Sequence, residues 1–382
     1  MAIIPAKRFG LCLATFIVLA CSQALTAQNA ASTDLPPGTW RFIVSGDSRN
    51  CGDVVMPAIA AHSMRFAPSF YWHLGDLRAL YKIDEDMADA ATQAGSALTC
   101  EVYRKLAWPD FITHQIAPWG TTPFFAGIGN HERIPPKTTQ QFAAQFADWL
   151  DTPVLRQQRL QDNPQDILPK TYYHWIQSNV DFIYLDNALD AFSPEQLAWL
   201  DRVLDRATGN PNVRSLVVGM HEALPHSMAS DHAMGDLPEK KEGMASGERA
   251  YKAFLAFHHK TGKPVYLLAS HSHFFMEGIF NNLPKDQRLP GWIIGTAGAV
   301  RYPLPTKHFD SARTVVYGYL LATVHPDGTV DFKFQQVHQE DVPAIVQRRY
   351  SDGLVPWCFA HNSANGDNNV RPTASCIDPP AH

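Results

Sequence analysis

Six residues of types that bind metal ions lie at the ends of short apolar stretches in this sequence. They are Asp47, Asp76, Asn130, His221, His271 and His273. Carboxylate, amide and imidazole groups together suit zinc, iron or manganese better than calcium. Two such ions, held about 3.5–4 Å apart and bridged by one carboxylate, can polarise a phosphoryl oxygen and activate water. The six side chains therefore predict a two-metal site, provided that the fold brings them together.

The apolar stretches before these residues have the length and composition of buried strands. They span residues 41–45, 69–74, 123–128, 213–220 and 264–270, and they end at Gly46-Asp47, Gly75-Asp76, Gly129-Asn130-His131, His221 and His271. In sheet-based α/β folds, ligands collect beyond the carboxyl ends of the strands. Residues far apart in the sequence can therefore converge at one edge.

Helical segments are predicted between most of these strands. Their apolar spacing or capping residues place them at 53–66, 83–116, 138–150, 193–206 and 248–259. The polar segment 226–247, which is rich in Gly and Met, is predicted to be a long loop. Long loops in compact domains often close over functional sites, so we expect this segment to influence the choice of substrate.

Composition and charge argue against a nucleic-acid partner. The chain has 382 residues and a formal net charge of −5, with acidic and basic residues interspersed. A nucleic-acid surface normally shows a basic stripe. An anionic ligand would have to be attracted by local positive charge, from metals or arginines.

The N-terminal residues have the pattern of a secretory signal peptide. Lys7 and Arg8 precede an apolar run over residues 9–20, and Leu25-Thr26-Ala27 offers a cleavage site, which gives a signal peptide of residues 1–27. The alternative is a lipoprotein box at 18–21, which would leave a lipidated Cys21. We therefore expect an exported protein of the bacterial periplasm or medium, or one anchored by lipid to the outer membrane. No later segment is apolar enough to predict a transmembrane helix.

Four cysteines follow the signal peptide, namely Cys51, Cys100, Cys358 and Cys376. An even number in an exported chain predicts two disulfides, and four cysteines allow three pairings. We favour Cys51–Cys100 with Cys358–Cys376, because the second bridge would hold the polar C-terminal tail, residues 339–382.

The order Gly-Asp, Gly-Asp, Gly-Asn-His-Glu, His and His-x-His resembles the calcineurin-like metallophosphoesterase family, which includes the purple acid phosphatases. The resemblance extends from Asp47 to about Val337. It implies a four-layer α/β/β/α sandwich of two mixed sheets flanked by helices, in a domain of residues 40–338. It also implies metal-dependent hydrolysis of a small phosphorylated substrate, a phosphomonoester before a diester, by a metal-bound hydroxide at a site with two Fe, Zn or Mn ions.

The same resemblance implies a role for each motif residue. Asp47 and His273 would bind the first metal, and Asp76 would bridge the two. Asn130, His221 and His271 would complete the second metal site. His131 would bind no metal but would protonate or stabilise the leaving oxygen.

This sequence departs from the family at the first metal. The family usually has Asp-x-His where this chain has Asp47-Ser48-Arg49, and purple acid phosphatases have Tyr at the position of Ala79. Since an arginine is a poor metal ligand, we expect either that the first ion binds weakly or that the enzyme works with one tightly bound ion. Arg49 could instead hold the substrate phosphate. Asn50, Tyr81 or water could replace the missing ligand. The alternatives to a monoesterase are a diesterase acting on cyclic nucleotides or phospholipid head groups, and a binding protein without activity.

Several other polar residues have no clear assignment from sequence. His73 and Glu132 could support the ligands, and Arg301 could face the site or lie on the surface. Four further histidines are expected on the surface, namely His226, His232, His258 and His259.

Overall fold

The computed structural model describes residues 35–229, 232–236, 241–305, 311–364, 371 and 373–377. The predicted signal peptide, residues 1–27, lies outside the described residues, and so does Cys21 with its alternative lipid anchor. Within the described ranges, no helix has both the length and the apolar character needed to cross a membrane.

The described strands form two mixed sheets. The strands are β1 (Trp40–Ser45), β2 (Tyr71–His73), β3 (Phe124–Ala126), β4 (Tyr173–Gln177), β5 (Val180–Leu185), β6 (Ser215–Met220), β7 (Val265–Ala269), β8 (Phe275–Glu277), β9 (Gly291–Ile294), β10 (Ala312–Arg313), β11 (Tyr317–Val324) and β12 (Val330–Val337). One sheet has the order β12-β11-β1-β2-β3 and the other β10-β8-β9-β7-β6-β5-β4. The strands that precede the predicted ligands are parallel to one another in each sheet, β1 to β3 in one and β6 with β7 in the other.

The helices lie on the outer faces of the sheets. They are α1 (Gly52–Ser63), α2 (Glu85–Gln93), α3 (Cys100–Phe111), α4 (Thr139–Gln145), α5 (Ala147–Leu150), α6 (Pro153–Asp162), α7 (Pro194–Gly209), α8 (Lys241–Thr261), α9 (Ala344–Gln347) and α10 (Leu354–Ala360). Helix α1 packs on the five-stranded sheet, while α7 and α8 pack together against the seven-stranded one. Helix α7 begins where its sequence predicts, because Ser193 accepts a hydrogen bond from the Gln196 N–H and Pro194 occupies the first turn.

Aromatic side chains fill the space between the two sheets. The ring of Phe42 on β1 lies 5.1 Å from that of Phe182 on β5, and Trp72 on β2 lies 5.4 Å from Trp175 on β4. All four side chains are fully buried. Large buried rings contribute strongly to packing, so this layer holds the two sheets face to face. The result is the four-layer α/β/β/α sandwich that the sequence predicts.

Two predictions about local structure are wrong. The segment 226–247 was predicted to be a loop throughout, but α8 begins at Lys241 and so includes its last residues. Helix α6, Pro153–Asp162, was not predicted. Its Arg- and Gln-rich sequence has a weak apolar pattern, and its start is set by Thr152, which accepts a hydrogen bond from the Leu155 N–H.

The favoured disulfide pairing is also wrong. The bridges join Cys51 to Cys358 and Cys100 to Cys376, with Cα–Cα distances of 5.9 Å and 5.3 Å. The cause is tertiary, since the C-terminal residues pack back on the sandwich instead of on one another. Cys358 on α10 lies in the same buried cluster as Cys51, beside the start of α1. The disulfides do tie the C-terminal tail down, but they tie it to the domain.

Arg301 belongs to this C-terminal packing and does not face the predicted metal site. Its guanidinium is buried and donates hydrogen bonds to the carbonyl oxygens of Phe359 and Asn362, each at 2.8 Å. Neither of the two roles considered for Arg301 from the sequence is therefore right.

Candidate metal centre

The loops that follow β1, β2, β3, β6 and β7 meet at one edge of the sandwich. Backbone hydrogen bonds join them: Asp47 donates to Gly75 O at 3.0 Å, Ser48 to Asp76 O at 3.0 Å, and Ser270 to His221 O at 2.9 Å. The two sheets therefore contribute to one site. All six predicted ligands lie within it, and the strand-end pattern is what brings them together.

Three of the predicted ligands have a left-handed backbone conformation. The φ angles are 59° at Asp47, 59° at Asp76 and 62° at His271. Positive φ costs a residue with a side chain of the order of 1 kcal/mol or more, and such residues cluster at functional sites. The sharp turn after each strand aims the side chain into the space between the loops.

The ligand-type atoms form two groups that share Asp76. The His221 group consists of Asp76, Asn130, His221 and His271. The His273 group consists of Asp47, Asp76 and His273. A shared carboxylate between two sets of ligands is the arrangement of a dinuclear metal site.

In the His221 group, several acceptor atoms point at the same position. His221 Nε2 lies 2.9 Å from Asn130 Oδ1, 3.1 Å from His271 Nδ1 and 3.2 Å from Asp76 Oδ1. The other nitrogen, Nδ1, lies 3.1 Å from the carbonyl oxygen of Leu74 and is the natural place for the ring proton. One proton on Nε2 could bond only one of the three neighbours, whereas a metal ion could bind them all.

The electrostatics of the His221 group also favour a cation. Burial lowers the pKa of His221, but the carboxylates of Asp76, Asp47 and Glu222 together raise it to about 10. Burial, and then His221, hold the pKa of His271 well below its usual value. Positive charge is therefore strongly favoured between these rings, and only one of them can supply it as a proton. The residues of the His221 group fit a metal ion.

The His273 group contains buried oxygens that lack a partner. Asp47 Oδ1 and Asp76 Oδ2 have no hydrogen-bond donor among the described residues. Burial raises the pKa of Asp47, but His273 lowers it to about 2 overall, so the carboxylate is charged. His273 Nε2 lies 3.2 Å from Asp47 Oδ1, while its Nδ1–H donates to Val300 O at 2.6 Å. These atoms have the chemistry of metal ligands.

Arg49 occupies the same space. Its Nη2 lies 2.7 Å from His273 Nε2 and its Nε lies 3.7 Å from Asp76 Oδ2. The Arg49 side chain is only 4% exposed. Asn50 does not replace the missing ligand, because its amide donates to Glu85 and accepts from the Val300 N–H. The proposed substitution by Asn50 is therefore wrong.

His131 lies beside the Asp76 carboxylate but outside both ligand groups. Its Nδ1–H donates to the Ala79 carbonyl oxygen at 2.5 Å, which leaves Nε2 free at 3.5 Å from Asp76 Oδ2. Burial and the nearby Arg49 guanidinium lower the pKa of His131 to about 4. Tyr81, the other suggested substitute ligand, packs its ring 5.3 Å from that of His131.

Glu132 organises the ligand loops from behind. Its carboxylate accepts hydrogen bonds from the backbone N–H groups of Asp76, Leu77 and Gly129 at 2.9, 3.0 and 2.8 Å. Burial and the Asp76 carboxylate raise the pKa of Glu132 to about 8. His73 is also buried here, with Nε2 3.0 Å from Ser48 Oγ. Both residues therefore support the ligand loops.

Two residues at the site were missed from the sequence. The ring of Tyr302 stacks on His273 with the centroids 4.0 Å apart. The ring of His232, expected on the surface, lies 5.3 Å from His271 and 5.2 Å from Tyr302. No motif marks either residue, and only the prediction that 226–247 lies over the site gave a signal for His232.

A third group of ligand-type residues, Asp53, Asp110 and His114, lies on the helical side of the five-stranded sheet. Arg78 forms salt bridges with these carboxylates: its Nη2 lies 2.5 Å from Asp53 Oδ1, and it also pairs with Asp110. This group therefore has its own cation.

No known family model and no curated protein matches this sequence. Among solved structures, the chain is similar to the purple acid phosphatase PPD1 of yellow lupin (Lupinus luteus) seeds, with TM-score 0.53 and 14% identity over 78% of this chain and 51% of that one. It thus spans about half the length of the lupin protein. It also matches PhoD (TM-score 0.48, 14% identity, 78% and 72% covered) and GAP50, the anchor in the inner membrane complex of Plasmodium (0.45, 11%, 78% and 84%). The lupin match confirms the predicted fold.

Proposed function

We propose that this protein is a metal-dependent phosphoesterase whose substrates are phosphomonoesters. The observation that carries the proposal is the convergence of Asp76, Asn130, His221 and His271 on one point. Similarity in fold to a purple acid phosphatase agrees with it but does not establish activity. Zinc, iron or manganese would suit these ligands.

The position of each residue at the site suggests its role in the proposed reaction. Asp76 would belong to both ligand groups, and Glu132 would hold its backbone in place through hydrogen bonds. Metal ions held there would supply Lewis acidity. They would also lower the pKa of a water molecule enough for it to act as the nucleophile near neutral pH. Arg49 would bind a phosphate oxygen. His131 would face the leaving oxygen with Nε2, and the negative charge of the bound phosphate would favour protonation of that nitrogen, which could then donate its proton to the leaving oxygen.

The monoester assignment rests on charge. A monoester is a dianion near neutral pH, and the buried Arg49 guanidinium adds a fixed positive charge beside the ligand groups. A diester carries one negative charge and would gain less from this cation. A panel of aryl monoesters and diesters would test the assignment, and a higher kcat/KM for the diesters than for the monoesters would contradict it.

The activity itself is tested by removing single ligands. Asn130→Ala and His271→Ala should each lower kcat/KM for an aryl phosphate by roughly 100-fold or more, because each removes one ligand of the same ion. His259→Ala is the matched control, since His259 lies on the exposed end of α8 and should leave activity unchanged. A loss of less than about tenfold in both ligand variants would contradict the proposal.

The role of His131 is tested by varying the leaving group. A residue that assists departure of the leaving oxygen matters most when that oxygen is strongly basic. His131→Ala should therefore slow alkyl phosphates more than nitrophenyl phosphate. Equal losses for both would indicate that His131 only positions the neighbouring Asn130.

A non-catalytic binding protein is the second candidate. The contact of Arg49 with His273 favours it, because that contact occupies a ligand of one metal group. Metal analysis separates the two functions: protein that binds no zinc, iron or manganese and releases no phosphate in their presence is the binding protein.

We further propose export, because two disulfides form most readily outside the cytoplasm.

A further inference from the structure

His273 has only one atom with which to bind a metal ion, and that atom is in use. The ring proton lies on Nδ1, which donates to Val300 O at 2.6 Å. Nε2 therefore has a single lone pair, and it faces Arg49 Nη2 at 2.7 Å. A guanidinium stays protonated in proteins, so this nitrogen cannot bind Arg49 and a metal ion at once.

Arg49 is held at this position by more than one contact. Its Nε lies 3.7 Å from Asp76 Oδ2, and the Tyr302 side chain lies close enough for the Arg49 charge to influence the Tyr302 pKa. The Tyr302 ring covers the His273 ring at 4.0 Å. Moving this guanidinium away from the carboxylates would be destabilising, because it would leave buried charges without compensation.

The position of Arg49 is also the one at which charge is needed. Asp47 and Asp76 are buried carboxylates, each with an oxygen that receives no hydrogen bond from the described residues. Elsewhere in the chain, Arg78 forms salt bridges with the buried carboxylates of Asp53 and Asp86 and so balances their charge. The fold thus already uses a guanidinium as the counter-ion of clustered aspartates.

We propose that the guanidinium of Arg49 replaces one of the two metal ions, so that the centre binds a single ion in the His221 group. The inference rests on the proposed function, which requires an ion in the His221 group. The new claim is that the His273 group binds no ion. Arg49 Nε has no hydrogen-bond partner among the described residues, and movement of the side chain on substrate binding would turn this donor to a phosphate oxygen. Arg49 would then combine the charge of a second ion with the donors that bind substrate.

The test is the number of Mn²⁺ ions bound, counted by equilibrium dialysis with metal analysis. Wild-type protein should bind about one equivalent and show the electron paramagnetic resonance signal of isolated Mn²⁺. Arg49→Met, which keeps the volume but removes the charge and the donors, should bind about two and show the signal of a coupled pair. Arg49→Lys keeps the charge and should remain near one.

A second variant keeps the test valid if Arg49→Met does not fold. His273→Ala should leave the affinity of the single Mn²⁺ within about threefold, whereas His271→Ala should weaken it by about 100-fold or more. Two equivalents in the wild type, or one in Arg49→Met, would overturn the inference but leave the phosphoesterase proposal standing. No bound Mn²⁺ and no phosphate release by the wild type would overturn both.

Discussion

Glu132 should matter for both stability and metal binding, although it is not a predicted ligand. Its buried carboxyl group accepts three backbone hydrogen bonds from two ligand loops, those of Asp76 and Gly129. Burial raises the pKa of Glu132 to about 8, so near neutral pH much of it is uncharged in the absence of metal. Three neutral hydrogen bonds at about 1 kcal/mol each give an expected loss of roughly 3 kcal/mol in Glu132→Ala.

Chemical denaturation measures this loss directly. The midpoint and slope of urea unfolding, with chelator present, give the free energy of unfolding of each variant. Metal titration of the same proteins should show affinity weakened by about 10- to 100-fold in Glu132→Ala, because the ligand loops lose their common support. Glu132→Gln keeps one acceptor oxygen, so its stability and metal affinity should lie between those of the wild type and Glu132→Ala.

Asp89 provides the matched control for Glu132. It is also buried, but its carboxylate bonds Ser351 and the Arg371 side chain in the C-terminal segment, away from the ligand loops. Asp89→Ala should lower stability and leave metal affinity within about threefold. A stability loss below about 1 kcal/mol in Glu132→Ala, with metal affinity unchanged, would refute the argument.

Two further predictions concern backbone space and pH. A Cβ at Gly129 would lie 2.3 Å from Asp76 Oδ1, so Gly129→Ala should weaken metal binding. Gly209→Ala, where a Cβ would have nothing within 4 Å, should leave metal binding unchanged, and a metal titration of both variants compares them. His174 is buried between Asp162 and Asp181; burial lowers its pKa, but the two carboxylates raise it to about 9 from 6.5. Because the folded pKa is the higher, this stabilisation is complete below about pH 6.5 and is lost as pH rises through about 9, a change of roughly 3 kcal/mol. The difference in unfolding midpoint between wild type and His174→Gln should shrink over that range, and a constant difference would contradict the assignment.

The strands and the set of converging residues could be predicted because both are marked locally in the sequence, whereas the four-layer sandwich is what the family resemblance implies. A strand is marked by an apolar run, and Gly46, Gly75 and Gly129 mark the turns after three of them. Gly75 has φ of 101°, and at Gly129 a Cβ would meet the backbone of Asp76 at 2.5 Å, so these turns need glycine. Motif order then identified the edge at which the side chains meet.

What could not be predicted depends on contacts between distant segments. The stacking of Tyr302 and His232 near the ligands follows from how two loops fold over the site. The disulfide pairing follows from the C-terminal helix packing beside Cys51. Arg49 was expected to bind phosphate because of its charge, but its contact with His273, 224 residues away, is not visible in any local pattern.

That contact also bears on how the protein behaves without metal. Removing both ions from a two-metal centre leaves buried carboxylates without a counter-ion, and an uncompensated buried charge costs about 3–5 kcal/mol. On the proposal made above, Arg49 would stay beside Asp76 and His273, which it contacts in the absence of metal, when the His221 group is filled. The loops after β1 and β2 should therefore keep their arrangement when metal is removed, and the His221 group should be ready to bind an ion again. The proposed guanidinium would thus substitute for a metal ion in structure as well as in charge, and unlike an ion it could not be lost to a chelator.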